Sequence, residues 1–369
     1  MLWNSETQEL ESSIAVYRDG LQAEKICGIR IGTGICGTAA ALRQPVRVSN
    51  VSIDPRYVPC VQDLEVRSEL TVPLVFEDRL LGVLDLESEQ YDAFTSQHEQ
   101  VLATLASSLA VALENARLYE NLRKDEARLQ EDLDAAREIQ KQLLPKQTPW
   151  LPGVQLGVAY EPARHLGGDF YDFHSYGNDK LALAVGDVSG KSTSAALYGS
   201  LALGMLRETY AQDALEPRLI LEDMNRNLWH LHIGNRFLAL TTAVFNNLDR
   251  TLILSNSGLP RPYLVRQGKV EEVPAVGMPL GIFADRGYEE VRLQLKVGDT
   301  VVICSDGIEE SVSPQDEEFG RQRIKTTLAR LADKTAPEIA GGLQEAAAKH
   351  AGPAGPSDDC TILTLKIAS

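Results

Sequence analysis

The spacing of apolar residues divides the chain into two strand-rich segments separated by one long helix. In residues 1–93, short apolar runs such as Leu70–Phe76 alternate with turn residues, which predicts strands. Beyond them, apolar residues recur every three or four positions, and no Gly or Pro occurs between Thr95 and Leu144. This pattern predicts a single helix, which the proline at 145 ends.

The predicted helix has the character of a coiled coil. Leu122, Leu129, Ala136 and Leu143 repeat every seven residues, and residues 120–141 are crowded with charged side chains. Such a repeat is typical of helices that pair along a seam. We therefore expect a spacer that dimerises the chain, with a helix folded back on its own domain as the alternative.

The segment after the helix combines strands and helices. Nine runs have the composition of strands: Val154–Tyr160, Lys180–Val185, Leu238–Phe245, Thr251–Ser255, Pro262–Arg266, Val270–Val273, Glu289–Leu295, Thr300–Cys304 and Thr361–Ile367. Four segments have the spacing of helices: Thr193–Ala211, Pro217–His230, Gly320–Leu331 and Pro337–His350. Strand runs interrupted by pairs of helices predict a layered α+β domain rather than a doubly wound parallel sheet.

The composition of the chain limits the partners that it can bind and the compartment in which it is expected. The chain has 36 Lys and Arg against 52 Asp and Glu, a net charge of −16, which disfavours nucleic acid and anionic membranes as main partners. Five cysteines in 369 residues are too few for a disulfide framework and indicate a reducing cytoplasm. No apolar run approaches the ~20 residues of a membrane span, and no signal peptide is apparent, so we expect a cytoplasmic protein without membrane insertion.

Aspartates next to Gly or Ser mark four places in the second segment, three of which adjoin an apolar strand. They are Asp169, Asp187, Asp306 and the pair Asp358-Asp359. Carboxylates gathered at one edge of a sheet repel one another unless a cation neutralises them, and a set of oxygen ligands suits Mg²⁺ or Mn²⁺. Each Asp-Gly pair taken alone is equally typical of a simple turn.

The order of these motifs resembles the metal-dependent protein phosphatase family. The matching phrases are Gly-Gly-Asp-Phe-Tyr-Asp (167–172), Gly-Asp-Val-Ser-Gly-Lys (186–191), Ser-Asp-Gly-Ile-Glu-Glu (305–310) and Ser-Asp-Asp-Cys-Thr (357–361). Pro162-Ala163-Arg164 and the stretch 136–145 match its bacterial branch of sporulation and stress-response phosphatases. The resemblance implies a β-sandwich between helices, an αββα domain, that holds two divalent cations, Mn²⁺ or Mg²⁺, with an activated water as nucleophile.

The resemblance also implies roles for individual residues. Asp187 would bridge both ions, the Val188 carbonyl would add a ligand, and Asp169, with Asp187, would serve the catalytic centre directly. The remaining ligands would be Asp306 and Asp358, with Asp359 the less favoured of its pair. Arg164 would bind the phosphate, with a surface salt bridge as the alternative. Ser192 and Leu259 depart from the family pattern without removing a ligand.

The first segment resembles a GAF sensory domain. The matching phrases are Gly34-Ile-Cys-Gly, Val46–Asp54, Arg67-Ser-Glu-Leu-Thr-Val-Pro-Leu and Gly82-Val-Leu-Asp-Leu-Glu-Ser. We expect this domain to be incomplete at its N-terminus and to bind an unknown small ligand. Residues 32–37 also match the GxGxxG nucleotide fingerprint, but short strands rather than a βαβ unit are predicted around them.

Three cysteines of this segment leave a redox role open. Cys27, Cys36 and Cys60 are placed similarly to the cysteines of GAF-fold free methionine-(R)-sulfoxide reductases. Reductase or sensing chemistry would require a thiolate of low pKa and a resolving partner. Plain buried cysteines are the alternative.

These observations predict a GAF-like α/β sensor at 1–93, a helical linker at 94–148 and a phosphatase domain at 149–369. The expected function, implied by the resemblance, is phosphoserine and phosphothreonine hydrolysis in bacterial signalling, on an anti-sigma-factor antagonist. Two alternatives remain: a non-catalytic dimeric module that binds a phosphoprotein, or a redox-sensing GAF regulator that uses Cys36 and Cys60.

Overall fold

The computed structural model describes residues 1–11, 15–17, 20–22, 28–59, 65–213, 215–234 and 236–368. Within them the chain divides into an N-terminal unit, Met1–Leu129, and a C-terminal unit, Gln130–Ser369. Cys27 and Cys60 lie outside the described residues.

The described residues of the N-terminal unit form eight strands, one short α-helix and the first part of a long one. In chain order these are β1 (Leu2–Asn4), β2 (Glu9–Glu11), β3 (Ala15–Tyr17), β4 (Gly20–Gln22), β5 (Gly28–Arg30), α1 (Gly34–Leu42), β6 (Val46–Val48), β7 (Ser68–Phe76), β8 (Arg79–Ser88) and α2 (Ser96–Leu143). Six strands form one sheet in the order β5-β2-β1-β8-β7-β6, and β3 pairs with β4. The sheet carries helices on both faces, the architecture expected of the GAF-like segment.

Strand β7 shows why the two faces of this sheet differ. Side chains alternate between the faces of a strand, so Leu70, Val72 and Leu74 pack together against Ala106 and Ala110 of α2. The intervening residues Glu69 and Thr71 lie on the opposite face, where both contact Cys36 of α1. The alternation therefore creates an apolar layer under α2 and a polar, buried layer under α1.

Helix α1 was not expected from the sequence, and the prediction of only short strands around residues 32–37 was wrong there. The helix begins at Gly34, whose φ of 72° favours glycine, and a Cβ at Gly37 would collide with the carbonyl oxygen of Arg30. The glycines thus allow α1 to pack closely on the end of β5. Strands β5 and β6 lie at opposite edges of the sheet, so no βαβ nucleotide-binding unit is formed.

Helix α2 confirms the predicted long helix, which ends two residues before Pro145. By length and composition its apolar part is long enough to cross a membrane, and it is the one such helix among the described residues. A single helix of this kind is weak evidence for a span. Ala106, Ala110 and Glu114 are buried in the N-terminal unit, and Glu114 is ion-paired with Arg79 of β8.

Ten strands and five further α-helices lie in the part of the C-terminal unit that the structure describes. In chain order they are β9 (Val154–Glu161), β10 (Phe170–Tyr176), β11 (Lys180–Val188), α3 (Thr193–Ala211), α4 (Pro217–Leu231), β12 (Leu238–Asn246), β13 (Thr251–Ser257), β14 (Tyr263–Arg266), β15 (Lys269–Glu272), β16 (Val291–Gln294), β17 (Thr300–Cys304), α5 (Asp306–Glu309), α6 (Gly320–Arg330), α7 (Ala336–Ala351) and β18 (Cys360–Ile367). Strand β10 was missed by the sequence analysis because polar residues interrupt it.

Two antiparallel five-stranded sheets pack face to face in this unit. Their orders are β10-β11-β12-β13-β16 and β15-β14-β17-β18-β9. Leu181 and Leu183 of β11 lie between the sheets with Ile303 and Leu363, whereas Ala184 of β11 faces α3 and α4. Helices α6 and α7 cover the outer face of the second sheet. Strand β11 is apolar on both sides because both are buried, and the αββα prediction is confirmed.

Candidate functional site

The predicted carboxylates meet where strands of both sheets end. Asp169 directly precedes β10, and Asp187 lies near the end of β11, the strand that pairs with β10. In the other sheet, Asp306 follows β17 by two residues and Asp359 directly precedes β18, which pairs with β17. The antiparallel register therefore brings one end of each neighbouring pair of strands to the same edge of the sandwich.

Asp169 is the most deeply buried of these carboxylates, with 2% of its surface exposed. Its Oδ2 accepts a hydrogen bond of 2.7 Å from Thr361 Oγ1 on the opposite sheet. Its Oδ1 is buried and has no hydrogen-bond partner in the described structure. A buried carboxylate oxygen left without a partner is costly, and this oxygen is available to a cation.

Asp187 lies beside Asp169 and shares its electrostatic environment. Burial raises the pKa of Asp187 to about 6, a hydrogen bond with Asp169 acts in the opposite direction, and the charge of Asp358 raises the pKa further. Burial likewise raises the pKa of Asp169 well above its usual range, and the charge of Asp187 adds to this. The charge of Asp187 thus opposes ionisation of Asp169, whereas the hydrogen bond with Asp169 favours ionisation of Asp187.

Asp306 adds a third carboxylate from the start of helix α5. Burial raises its pKa to about 7, and the charges of Asp187, Glu310 and Asp358 contribute, whereas Lys191 lowers it. Glu310, four residues later, is exposed at the rim of the cluster. The acidic groups outnumber the lysine that faces them, so acidic groups are in excess in this arrangement.

Asp358 and Asp359 have different surroundings. Asp358 forms an ion pair of 2.8 Å with Lys191 Nζ. Asp359 is 7% exposed, and its two oxygens accept hydrogen bonds from the backbone N–H groups of Ala163 (2.8 Å) and Gly168 (2.6 Å). Asp359 therefore anchors the loop that leads to Asp169, whereas Asp358 is held by Lys191 and by the adjacent Asp359 N–H, which donates to Asp358 Oδ1 at 2.9 Å.

The two other predicted site residues lie close to this cluster. Val188 is buried, and a Cβ at Gly168 would lie 2.9 Å from the Val188 carbonyl oxygen, so this carbonyl borders the loop before Asp169. Arg164 is exposed, and its Nη1 donates to the carbonyl oxygen of Lys191 at 2.9 Å. In the described structure Arg164 reaches the carboxylates only through the Lys191 segment.

Several neighbours of the cluster were not assigned by the sequence analysis, although most lie inside the motif phrases. Thr361 and Lys191 contact predicted ligands directly. Arg236 lies outside the phrases; it donates to the Ser189 carbonyl oxygen at 2.7 Å and to Ser194 Oγ at 2.6 Å, holding the loop after Asp187. Only the folded chain shows these contacts, because they join segments far apart in sequence.

A second cluster of titratable side chains lies under α1 in the N-terminal unit. Ligand-type atoms of Cys36, Glu69 and Asp85 all lie within 4.8 Å of one another. Burial raises the pKa of Cys36 and raises that of Glu69 to about 9, with the charge of Asp85 contributing to both. Thr71 Oγ1 donates to Asp85 at 2.7 Å and to Glu69 at 3.2 Å. A raised thiol pKa is the opposite of what the redox alternative requires of Cys36.

Comparison with known families decides the classification. The profile described as Stage II sporulation protein E (SpoIIE) matches residues 177–368, more than half of the chain. The chain belongs to the SpoIIE family. A GAF domain profile matches residues 5–113, so the SpoIIE-type phosphatase domain follows an N-terminal GAF domain, as the sequence resemblance implied.

Relatives of this SpoIIE-family chain match it over different parts. It is 26% identical over 263 residues to Protein IcfG of Synechocystis sp., covering 63% of this chain and 41% of that protein. It is also 26% identical over 195 residues to Phosphoserine phosphatase RsbU of Bacillus subtilis, covering 52% and 57%. Over 91 residues it is 37% identical to the Free methionine-R-sulfoxide reductase of Escherichia coli, covering 24% and 54%. The chain thus spans about half the length of these relatives.

A solved structure supports the fold of the SpoIIE-type unit. The SiaA-PP2C domain of Pseudomonas aeruginosa superposes with a TM-score of 0.60 at 22% sequence identity, covering 66% of this chain and 98% of that domain. At this identity the likeness establishes the fold. The five aspartates of the SpoIIE-type unit therefore lie together at one edge of a PP2C-like sandwich.

Proposed function

We propose that the chain is a metal-dependent protein serine/threonine phosphatase of signalling, regulated by its GAF domain. The observation that carries the proposal is the cluster of Asp169, Asp187 and Asp306 at one edge of the sandwich, with a buried Asp169 oxygen that has no partner. We propose the domain boundaries 1–93 for the sensor, 94–148 for the linker and 149–369 for the phosphatase.

The donor set fits a pair of divalent cations, Mn²⁺ or Mg²⁺. The groups proposed to hold them are the carboxylates of Asp169, Asp187, Asp306 and Asp358 and the Val188 carbonyl. When bound, such ions stabilise charge on the phosphoryl group and acidify a water to act as nucleophile. Oxygen donors with excess negative charge are what these hard cations prefer.

The chain's own residues have distinct tasks in this mechanism. Asp359, with both oxygens engaged by backbone N–H groups, holds the loop before Asp169 and is secondary as a ligand. Thr361 orients the Asp169 carboxylate through its hydroxyl. Arg164 lies at the exposed rim, where a guanidinium fits the oxygens of an incoming phosphate.

Phosphate release from an aryl phosphate and from a phosphoserine protein tests this function. We expect Mn²⁺-dependent release by the wild-type chain, a loss of at least about 100-fold in Asp187→Ala, and wild-type rates in Asp179→Ala, an exposed aspartate in the β10–β11 turn. Equal rates for wild type and Asp187→Ala would refute the assignment. Tight binding of the phosphoprotein without turnover would support the non-catalytic alternative instead.

The proposed substrate is a phosphorylated protein of the anti-sigma-factor antagonist type. Support comes from the similarity to RsbU of Bacillus subtilis, which is named a phosphoserine phosphatase. The acidic chain, at −16, fits a protein partner rather than nucleic acid. Dephosphorylation of such an antagonist, compared with a phosphoserine peptide of unrelated sequence, tests the preference.

We also propose a homodimer formed through α2. Leu122 and Leu129, two positions of the seven-residue repeat, are 54% and 61% exposed, and apolar side chains spaced in this way pair between helices. Sedimentation of Leu122→Asp should show a monomer, whereas Arg128→Asp on the same helix should leave a dimer. A monomeric wild-type chain would contradict the proposal.

The GAF domain is proposed to bind a small ligand at the cluster under α1. The buried carboxyl group of Glu69 and the half-buried carboxyl group of Asp85 favour a ligand with a cationic group. The chain is 37% identical over 91 residues to the free methionine-R-sulfoxide reductase of E. coli, so free methionine sulfoxide is the first probe. A rise in melting temperature in wild type that is lost in Asp85→Asn supports the site, and no rise with this probe counts against it.

Redox sensing by Cys36 and Cys60 remains the alternative for this domain. Its test is mass spectrometry after mild peroxide, in which a Cys36–Cys60 disulfide would support it.

A cytoplasmic location without membrane insertion is likewise proposed, because α2 buries part of its apolar surface against the GAF sheet. Recovery of the chain in the membrane fraction after high-salt washing would contradict it.

A further inference from the structure

The last turns of helix α2 contact the loop that carries Asp169. Gln140 Nε2 donates to the carbonyl oxygen of Gly167 at 2.6 Å, and the Gly167 N–H donates to Gln140 Oε1 at 3.2 Å. One side-chain amide therefore binds both backbone polar groups of Gly167. Both residues belong to the C-terminal unit, and Gly167 is two positions from Asp169.

The loop around Gly167 has little other support. It lies between β9 and β10, outside the ladder of either sheet. A Cβ at Gly167 would lie 2.7 Å from the Tyr160 hydroxyl and 3.0 Å from Asp359 Oδ2, so there is little room for a side chain at this position. Two side chains fix the loop: the Asp359 carboxylate binds the N–H groups of Ala163 and Gly168, and the Gln140 amide binds Gly167.

The position of Gln140 is itself fixed by the end of its helix. The Leu143 carbonyl oxygen accepts a hydrogen bond of 2.7 Å from Arg207 Nη2, and Leu144 is buried in the core of the C-terminal unit. The Pro145 carbonyl oxygen accepts a further bond of 3.1 Å from Tyr171 Oη. A shift of one helical residue would turn Gln140 by about 100° and move it about 1.5 Å along the axis, which would break both bonds to Gly167.

We propose that Gln140 is a positioning residue for the metal-holding carboxylate of Asp169, so that the end of the linker helix forms part of the phosphatase centre. The inference rests on the proposed function of that centre. Gln140 acts through the Gly167 backbone, which it holds in the conformation that directs Asp169 towards Asp187 and Thr361. Displacement of the helix end would loosen the site without any change in its ligands.

The test compares Gln140→Met, which keeps the volume of the side chain but makes neither bond, with Gln142→Ala. Gln142 is an exposed glutamine of the same helix turn and serves as the matched control. Calorimetry with Mn²⁺ alone should show affinity weakened about 10- to 100-fold in Gln140→Met and unchanged in Gln142→Ala, the range typical of residues that orient a metal ligand. Saturating Mn²⁺ should restore most of the phosphate release.

A purely structural role gives a different result. If Gln140→Met lowers the melting temperature but binds Mn²⁺ as tightly as wild type, the inference is overturned. Gln140→Glu provides a second comparison, because it keeps an acceptor for the Gly167 N–H and loses the donor to the Gly167 carbonyl. We expect its Mn²⁺ affinity to be intermediate. A Mn²⁺ affinity equal to that of wild type would also overturn the inference. Failure of the wild-type chain to release phosphate would refute the proposed function. The Mn²⁺ affinities would still test the role of Gln140.

Discussion

Replacing Thr361 by valine should weaken metal binding through a single hydrogen bond. Thr361 and Asp169 are 0% and 2% exposed, and the Thr361 hydroxyl donates to Asp169 Oδ2 at 2.7 Å. Valine has nearly the same shape, so the change removes the hydroxyl without opening a cavity. The carboxylate then loses the group that fixes its orientation and supports its charge.

The size of the effect follows from the burial of the pair. A hydrogen bond to a charged group contributes about 1.5–3 kcal/mol, and about 1.4 kcal/mol corresponds to a factor of ten. We therefore expect Thr361→Val to weaken Mn²⁺ binding about 10- to 100-fold, in line with other groups that orient metal ligands. The Mn²⁺ concentration needed for half-maximal phosphate release should rise by a similar factor.

The assay is Mn²⁺ calorimetry together with phosphate release over a range of Mn²⁺ concentrations. Thr364→Val is the matched control, because Thr364 lies on the same strand, is fully buried, and donates to the carbonyl oxygens of Gly157 and Ala336 rather than to a carboxylate. The control should lose stability but keep its Mn²⁺ affinity. Equal Mn²⁺ affinities for the two variants would refute the reasoning.

Three further predictions concern stability, measured by urea unfolding. Glu69→Gln should stabilise the chain more at pH 8 than at pH 5.5. Burial raises the pKa of Glu69 in the folded wild type to about 9. The wild type therefore loses stability as the pH rises towards that value, by at most about 1.4 kcal/mol per pH unit. Arg207→Ala should cost about 2 kcal/mol, because it leaves the buried Asp172 carboxylate without its two bonds of 2.8 and 2.9 Å. Gly157→Ala should cost about 1–3 kcal/mol, because the added Cβ collides with the backbone of Ala336.

Each of the three has its own control. For Glu69→Gln, a gain in stability that is the same at both pH values would contradict the pKa argument. Arg226→Ala removes an exposed ion pair and should cost less than about 1 kcal/mol; a loss equal to that of Arg207→Ala would count against the buried-charge explanation. Gly341→Ala adds a Cβ within a helix where nothing lies within 4 Å, so it should not destabilise, and a loss matching Gly157→Ala would exclude the collision as the cause.

The predicted elements of the C-terminal unit correspond closely to those observed, because their signals are local. The run Leu181–Val185 is apolar at every position, and β11 is buried on both faces. Proline at 145 ended the helix where expected, since proline cannot continue it. Two of the elements that were missed, β10 and α1, have weak local signals: His174 and Asp172 interrupt one, and Gly34 lies at the start of the other.

The candidate site was predictable in composition but not in its internal contacts. The sequence motifs named Asp169, Asp187 and Asp306, and the folded chain brings them together. The sequence could not show the different surroundings of Asp358 and Asp359, because Asp358 pairs with Lys191 whereas Asp359 accepts from the N–H groups of Ala163 and Gly168. Those partners are distant in sequence and become neighbours only when the two sheets pack.

The sequence by itself determined most of the elements, the order of the motifs and the kinds of atom available to a cation, because these depend on neighbouring residues. The tertiary structure decided which groups orient the carboxylates. Gln140 is 27 residues from Gly167, and Thr361 is 192 residues from Asp169. No local sequence pattern predicts these two pairs. Their hydrogen bonds form only when the helix end packs against the loop and the two sheets pack against each other.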